Sequence, residues 1–390
     1  MIREMPSVHV EHIYFNERKE MIINMQGAGA LIQWQHPEIR IKELLADHPH
    51  ITNPMAAIVP TFFQIGYQKS GTTSSFGLLT QHQAYVDHGA GECVRKEPYF
   101  FNHILRDVGL NNKTVFEEYQ KSYLVCLKVA AAREKKPVEY FFTVDATSNY
   151  FDLLPKSTWE ERYSVAIVMR AYNPNAKLFL MLREPIRRTW SEYRFYSVEH
   201  PKMSSRVYSF CELKPNVSDA ESSMGPDHFH LAVSQEIREY LVCLEAVQMG
   251  NIHLNYPINI SVIQNDMRRA MLYCTFHVNV CPNGGPAKSI YAVYLMEWMR
   301  IWPSSQLHVD TIENMKLHGI KFTKTLFKFL GLAIPANYNF PTPYENQNIP
   351  TRKMKMHDAT KSILQKFFDP YNKLLGDISG VNVTPWRYDI

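Results

Sequence analysis

The sequence has no run long and apolar enough to cross a membrane. Its most apolar early stretch, residues 55–65, is too short and is broken by Pro60. The N-terminus lacks the basic-then-apolar layout of a secretory leader. The expectation is therefore a chain that is soluble and unanchored, or one without its membrane-anchor portion. Charge imbalance is also small: 42 basic against 38 acidic residues leave +4, too little to argue for a nucleic-acid partner. Six cysteines (Cys93, Cys126, Cys211, Cys243, Cys274, Cys281) include no CxxC and no zinc spacing. Cys274 and Cys281 are near enough in sequence to close a small loop around 282–285, and the even count permits disulfides. The histidines of the first 58 residues read as surface or core residues, and no metal is expected.

At 390 residues the chain can bury a full core, and 45% hydrophobic with 21% charged residues is ordinary for a globular protein. The expected organisation is a lead-in over 1–58, then one large α/β domain over 59–390. Four N-x-S/T sequons begin at Asn112, Asn216, Asn259 and Asn382 and lend weak support to a secretory setting.

The chain is organised around residues 62–79, FFQIGYQKSGTTSSFGLL. An apolar strand that turns through glycines into a helix is an anion cradle, because backbone N–H groups and the positive end of the helix dipole meet there. A P-loop NTPase places its lysine directly after the second glycine. Here Thr72 stands in that place and Lys69 lies inside the loop. Gln68, Lys69, Ser70, Gly71, Thr72 and Thr73 then surround a phosphate or sulfate, against the alternative of a strand–turn–helix with an incidental lysine.

Two further stretches carry chemistry. In Lys96-Glu97-Pro98-Tyr99-Phe100-Phe101 the proline imposes an extended or turned backbone and the aromatics anchor it in the core. A carboxylate fixed there is a candidate base for an attacking hydroxyl or a salt-bridged structural residue. The buried strand at 176–182 runs directly into Arg183-Glu184-Pro185-Ile186-Arg187-Arg188-Thr189-Trp190-Ser191-Glu192-Tyr193. Arg183 at the strand end and Ser191, two helical turns on, can converge on one phosphate through a bidentate guanidinium and a hydroxyl. Lys177, Arg183, Arg187, Arg188 and Arg194 crowd this segment, and Arg352, Lys353 and Lys355 another; both crowds are candidate anion contacts or solvated faces. Asp145 and Ser148, in a turn after a short strand at 141–144, face the same choice between cleft residues and a helix cap.

The loop at 66–73 resembles the 5′-phosphosulfate loop of sulfotransferases. Residues 183–193 match the family's 3′-phosphate motif, R-[D/E]-P-x-x-R-x-x-S-x-Y, at every marked position. K-E-P-x-F-F also follows the donor loop in carbohydrate sulfotransferases, at a similar interval. The resemblance runs from about residue 62 to 386 and is most like enzymes of the N-acetylgalactosamine 4-sulfate 6-O-sulfotransferase group. It implies an α/β, P-loop-like fold with a central parallel sheet flanked by helices. The implied co-substrate is 3′-phosphoadenosine 5′-phosphosulfate, with an anionic glycosaminoglycan acceptor and a Golgi lumen setting. Glu97 is implied as general base, Lys96 as a phosphate or substrate contact, and Asp145 and Ser148 as acceptor-cleft residues. Residues 200–228 are expected as an acceptor-side loop. A basic loop carrying Arg352 and Lys353 is expected to close over the nucleotide, although the glycine of the K-G-R form found in some members is absent. A P-loop kinase, a non-catalytic glycan binder on the same fold, and a tyrosine or small-molecule acceptor are the competing readings.

Overall fold

Strand-forming sequence in this chain comes in short apolar runs that lie far apart, so the sheet is assembled by crossovers. The computed structural model describes residues 10–15, 21–25, 37–51, 60–86, 96–152, 164–196, 225–246, 271, 274–275, 285–335, 338 and 354–386. The chain divides into two compact units, 35–183 with 297–345, and 1–34 with 184–296 and 346–390. In the latter, β1 (Val10–Phe15) and β2 (Met21–Met25) form an antiparallel hairpin.

The other unit holds the sheet. β3 (Phe62–Gly66), β4 (Val144–Asp145), β5 (Lys177–Leu182) and β6 (Leu307–Thr311) pair in the order β4-β3-β5-β6, all parallel. Every residue of β3 is buried, and so is β5 after Lys177, as expected of strands covered on both faces. The β3–β5 register slips between Gln64 and Gly66, where the strand gives way to the loop.

Helices follow the strands: α1 (Pro37–Asp47), α2 (Thr72–Thr80), α3 (Phe100–His103), α4 (Lys113–Glu134) and α5 (Val165–Tyr172) precede β5. Beyond it come α6 (Pro185–Arg194), α7 (Pro226–Ala246), α8 (Tyr291–Ile301), α9 (Ile312–Leu317), α10 (Gly319–Leu330) and α11 (Asp358–Ser379). α10 buries Phe322, Leu326, Phe327 and Leu330 against Phe62, Phe76, Leu79, Phe142 and Phe179, closing one core around the sheet. Each such side chain contributes about 1.5–3 kcal/mol on burial.

The α/β fold with a central parallel sheet flanked by helices is as expected, and three local expectations need correction. Apolar recurrence at Val115, Tyr119, Tyr123 and Cys126 predicts one helix over 102–128, and that helix is interrupted. A π turn at Ile104–Val108 ends at Gly109 (φ 83°), and Asn112 starts α4 by accepting the Val115 N–H at 3.3 Å. The strand expected over 141–144 shrinks to β4, with an isolated bridge from Phe142 to Tyr85. Cys274 does not bond to Cys281; it is bonded to Cys243 on α7, and Cys126 is disulfide-bonded as well. Among the described residues no helix is long and apolar enough to cross a membrane. Most of the stretch expected as an acceptor-side loop lies outside the described residues, and its last three residues, 226–228, open α7.

Candidate active site

The loop after β3 depends on two glycines. A Cβ on Gly66 (φ 149°) would lie 2.9 Å from the Ser148 carbonyl oxygen and 3.0 Å from Phe151 Cβ, so the strand passes the turn after β4 only without a side chain. A Cβ on Gly71 (φ 84°) would lie 2.5 Å from Ile312 Cδ1 at the start of α9. Gly71 also offers no side chain to cap α2. The first backbone bond of α2 runs from Ser75 N–H to the Gly71 carbonyl at 3.1 Å, so the amides of Thr72 and Thr73 precede the helix ladder. Gln64, buried in β3, fixes the helix by donating to the Thr72 carbonyl (3.0 Å) and Ser75 Oγ (2.7 Å).

Within the loop Lys69 takes a left-handed backbone (φ 67°) that L side chains rarely adopt. Arg183, at the end of β5, donates to the Lys69 carbonyl at 3.2 Å, so the two predicted donor residues meet. Ser70 Oγ is buried with no hydrogen-bond partner among the described residues. An unpaired buried hydroxyl costs about 1–3 kcal/mol. An oxyanion at the start of α2 would relieve that cost and could accept from the helix amides as well.

The Lys96–Glu97 pair is tied to this loop. Lys96 Nζ donates to Thr73 Oγ1 at 3.1 Å and to Glu97 Oε1 at 2.9 Å. Both side chains remain about a quarter exposed, at 24% and 23%. Glu97 Oε2 accepts from the Tyr99 hydroxyl. Sequence reasoning placed all three aromatics of the segment in the core, but Tyr99 is 40% exposed and only Phe100 and Phe101 are buried. Phe100 stacks on Tyr119 of α4 at 3.9 Å between centroids. The backbone is pinned at both ends: Ala146 N–H donates to the Lys96 carbonyl (3.0 Å) and Tyr99 N–H to Thr147 Oγ1 (3.2 Å).

Asp145 is not on an open cleft surface and does not cap a helix. It is fully buried and accepts hydroxyls from Tyr119 (2.6 Å), Tyr150 (2.9 Å) and Thr147 (2.7 Å), with the Thr147 amide at 3.1 Å. Burial pushes its carboxyl up to about 6, while those four donors hold it down. Ser148 is buried too, with Oγ 3.4 Å from Asn149 Oδ1. Thr147, Tyr119, Tyr150 and Tyr99 are the polar residues that sequence reasoning missed. For Thr147 and Tyr99 the signal was present, in D-A-T and in the tyrosine of K-E-P-Y.

In the other unit the 184–193 part of the motif acquires structural reasons. Glu184 caps α6 by accepting the Ile186 and Arg187 amides, both at 2.8 Å, and Pro185 opens the helix. Arg188 leaves the crowd of anion candidates. It is fully buried, pairing with Glu192 at 2.5 Å and donating to Ser289 Oγ at 2.7 Å. Ser191 is half-buried and shares one stripe of α6 with Arg187 and Arg194, four and three residues away. Arg352 and Lys353 lie outside the described residues. Among the described residues no cluster of three or more His, Cys, Asp or Glu groups is arranged to hold a metal ion.

No family model matches the chain. Carbohydrate sulfotransferase 15 of Homo sapiens is 22% identical over 370 residues, 87% of this chain and 57% of that protein. The bifunctional heparan sulfate N-deacetylase/N-sulfotransferase of Drosophila melanogaster is 20% identical over 413 residues, 98% of this chain and 31% of that one. The chain thus spans little more than half the length of the human relative. A crystal structure of a sulfotransferase from Alicyclobacillus acidocaldarius overlays 84% of this chain and 99% of its own, at 17% identity and a TM-score of 0.48.

Proposed function

We propose that this chain, a relative of the carbohydrate sulfotransferases, transfers a sulfuryl group from 3′-phosphoadenosine 5′-phosphosulfate to a carbohydrate hydroxyl. The acceptor is a chondroitin- or dermatan-type glycosaminoglycan. One observation carries the proposal: the Lys96–Glu97 pair is bonded to Thr73, in the same loop that presents Lys69. A base and two cations on one anion-binding turn suit proton removal from a hydroxyl beside a transferring oxyanion.

The residues fit the donor. Its phosphosulfate would be held by the amides of Thr72 and Thr73, the buried Ser70 hydroxyl and Lys69; the sequence motifs alone assign its 3′-phosphate to Arg183 and Ser191 and the nucleotide to Arg352 and Lys353. The donor supplies the sulfuryl group and departs as the 3′,5′-bisphosphate. Glu97 takes the proton of the attacking hydroxyl, with Lys96 and Tyr99 orienting its two oxygens. Lys69 neutralises the charge that develops on the leaving oxygen. Thr73, whose hydroxyl accepts from Lys96, keeps its own proton to donate to a donor oxygen. The disulfides at Cys243–Cys274 and at Cys126 support an oxidising compartment, consistent with the Golgi lumen.

The test is transfer of labelled sulfate from the donor to a panel of chondroitin, dermatan and heparan chains, with Lys69→Ala as the blank. Wild type is expected to label a chondroitin-type chain. Lys69→Ala should lose about 100-fold or more in turnover with a modest change in bisphosphate affinity. Arg183→Ala should chiefly weaken bisphosphate binding. Near-normal turnover by Lys69→Ala removes the mechanism, tight Mg-ATP binding in preference to the bisphosphate moves the chain to a kinase reading, and label on tyrosine peptides or small alcohols changes the acceptor class.

A further inference from the structure

The backbone of the four-residue segment that carries the base is tied at both ends to one stretch of chain. Its first carbonyl, on Lys96, and its last amide, on Tyr99, both bond to the consecutive residues Ala146 and Thr147. Between them Pro98 has no N–H to offer, so the backbone bonds to Ala146 and Thr147 fall at the two ends of the span that presents Glu97. The anchorage is needed because Tyr99 closes the span in a left-handed conformation (φ 55°, ψ 23°), which a tyrosine does not hold unless its surroundings over-determine it. Thr147 is buried and its hydroxyl works in both directions: it accepts from Tyr99 N–H and donates to Asp145 Oδ1. Asp145 in turn is fixed by the hydroxyls of Tyr119 and Tyr150. It also sits in β4, paired with Phe63 of β3, the strand that leads into the donor loop.

We propose that Thr147, oriented by Asp145, is a positioning residue for Glu97, which makes the buried Asp145–Tyr119–Tyr150 cluster the support that sets the base against the donor loop. This rests on the sulfotransfer reading, and it gives a new role to Asp145. The carboxylate acts through the backbone of 96–99 and touches no substrate. Glu97 is then located by two independent routes. One is the Lys96 bond to Thr73 on the loop itself; the other runs from β3 through β4 and Thr147 to the Tyr99 amide. A base located twice stays in register with the loop when one side chain of the pair rotates.

The experiment compares full-length wild type with Thr147→Val, which keeps shape and deletes the hydroxyl, Thr147→Ser, which keeps the hydroxyl, and Thr147→Ala as a second deletion. Sulfate transfer kinetics, 3′,5′-bisphosphate binding and hydrogen exchange of the Tyr99 amide are measured on each. Thr147→Val is expected to lose about 10- to 100-fold in kcat, with acceptor KM and bisphosphate affinity within about twofold of wild type. Its Tyr99 amide should exchange faster while the β3 and β5 amides do not, and Thr147→Ser should return kcat close to wild type. The proposal is overturned if either deletion keeps kcat within twofold of wild type, if Tyr99 exchange does not change, or if Thr147→Ser fails to restore. It is overturned equally if the loss spreads to bisphosphate binding, or if neither deletion folds, since Thr147 would then serve the fold at large. Should wild type transfer no sulfate, the functional reading fails, and the exchange arm still decides whether Thr147 holds the 96–99 segment.

Discussion

Asp145 and Glu236 are both buried carboxylates, one in each compact unit, and they differ in what meets them. Asp145 receives three hydroxyls and an amide. Glu236, on α7, receives one amide, from Ala287 at 2.8 Å, and its Oε2 is buried with no hydrogen-bond partner among the described residues. Burial raises both, Asp145 to about 6 and Glu236 to about 8. Hydrogen bonds restrain the first; for the second only the Ala287 amide and the charge of Lys288 pull downward. At neutral pH Asp145 is therefore mostly ionised and Glu236 mostly protonated. Desolvation alone does not decide the charge of a buried acid; the number of donors aimed at it does.

The same isosteric change should then act oppositely at the two sites. Asp145→Asn places an amide NH2 against groups that donate, and strips the charge from four hydrogen bonds. A loss of about 3 kcal/mol in unfolding free energy is expected, read from urea titration at pH 7. A loss below about 1 kcal/mol would mean that the tyrosine hydroxyls turn and accept instead, and the contrast with Glu236 would collapse.

A smaller effect tests how tightly Glu236 is enclosed. A Cβ on Gly285 would lie 1.8 Å from Glu236 Oε2 and 2.1 Å from Oε1, so Gly285→Ala must displace the carboxyl group. Overpacking of this kind costs about 1–3 kcal/mol, with the upper end expected here. Glu236→Ala in the same chain makes room for the new methyl, so the two changes should be less than additive by roughly 1 kcal/mol or more. Additive losses would show that Gly285 and Glu236 do not share the space.

How much of this was legible beforehand follows the range of each interaction. β3 and β5 could be read because buried parallel strands are continuous apolar runs, and the donor-loop glycines because a strand–turn–helix joint needs them. The contact of Arg183 with the Lys69 carbonyl at 3.2 Å was not foreseen, because the sequence paired Arg183 with Ser191. β4 was misjudged because only two residues of its apolar run pair as a strand. Arg188 was misread because its burial and its bond to Ser289, about a hundred residues on, leave no local signature, although Glu192 stands at i+4 on the same helix. Asp145 was misread because Tyr119 lies 26 residues away, on α4. The Cys243–Cys274 bond, 31 residues apart, lost out to a nearer sequence neighbour because proximity in sequence is the only distance a sequence displays.

The smallest effect gives the sharpest test of the comparison. Both acids have folded pKa values above their unfolded ones, so the folded state keeps protons that the unfolded state has released. Their contribution to stability is complete below the unfolded values and is lost as pH rises, through about 6 for Asp145 and about 8 for Glu236. Above pH 6 the Asp145 share has largely been spent, so a window from pH 6 to 7.5 isolates Glu236. Across it wild type should lose up to about 2 kcal/mol from this group, at about 1.4 kcal/mol per pH unit, and Glu236→Gln should not. The variant's urea midpoint therefore gains on wild type as pH rises, the reverse of the destabilisation expected from Asp145→Asn. Parallel profiles for wild type and Glu236→Gln would mean that Glu236 is ionised throughout, and that a single backbone donor with one nearby lysine can hold a buried carboxylate charged.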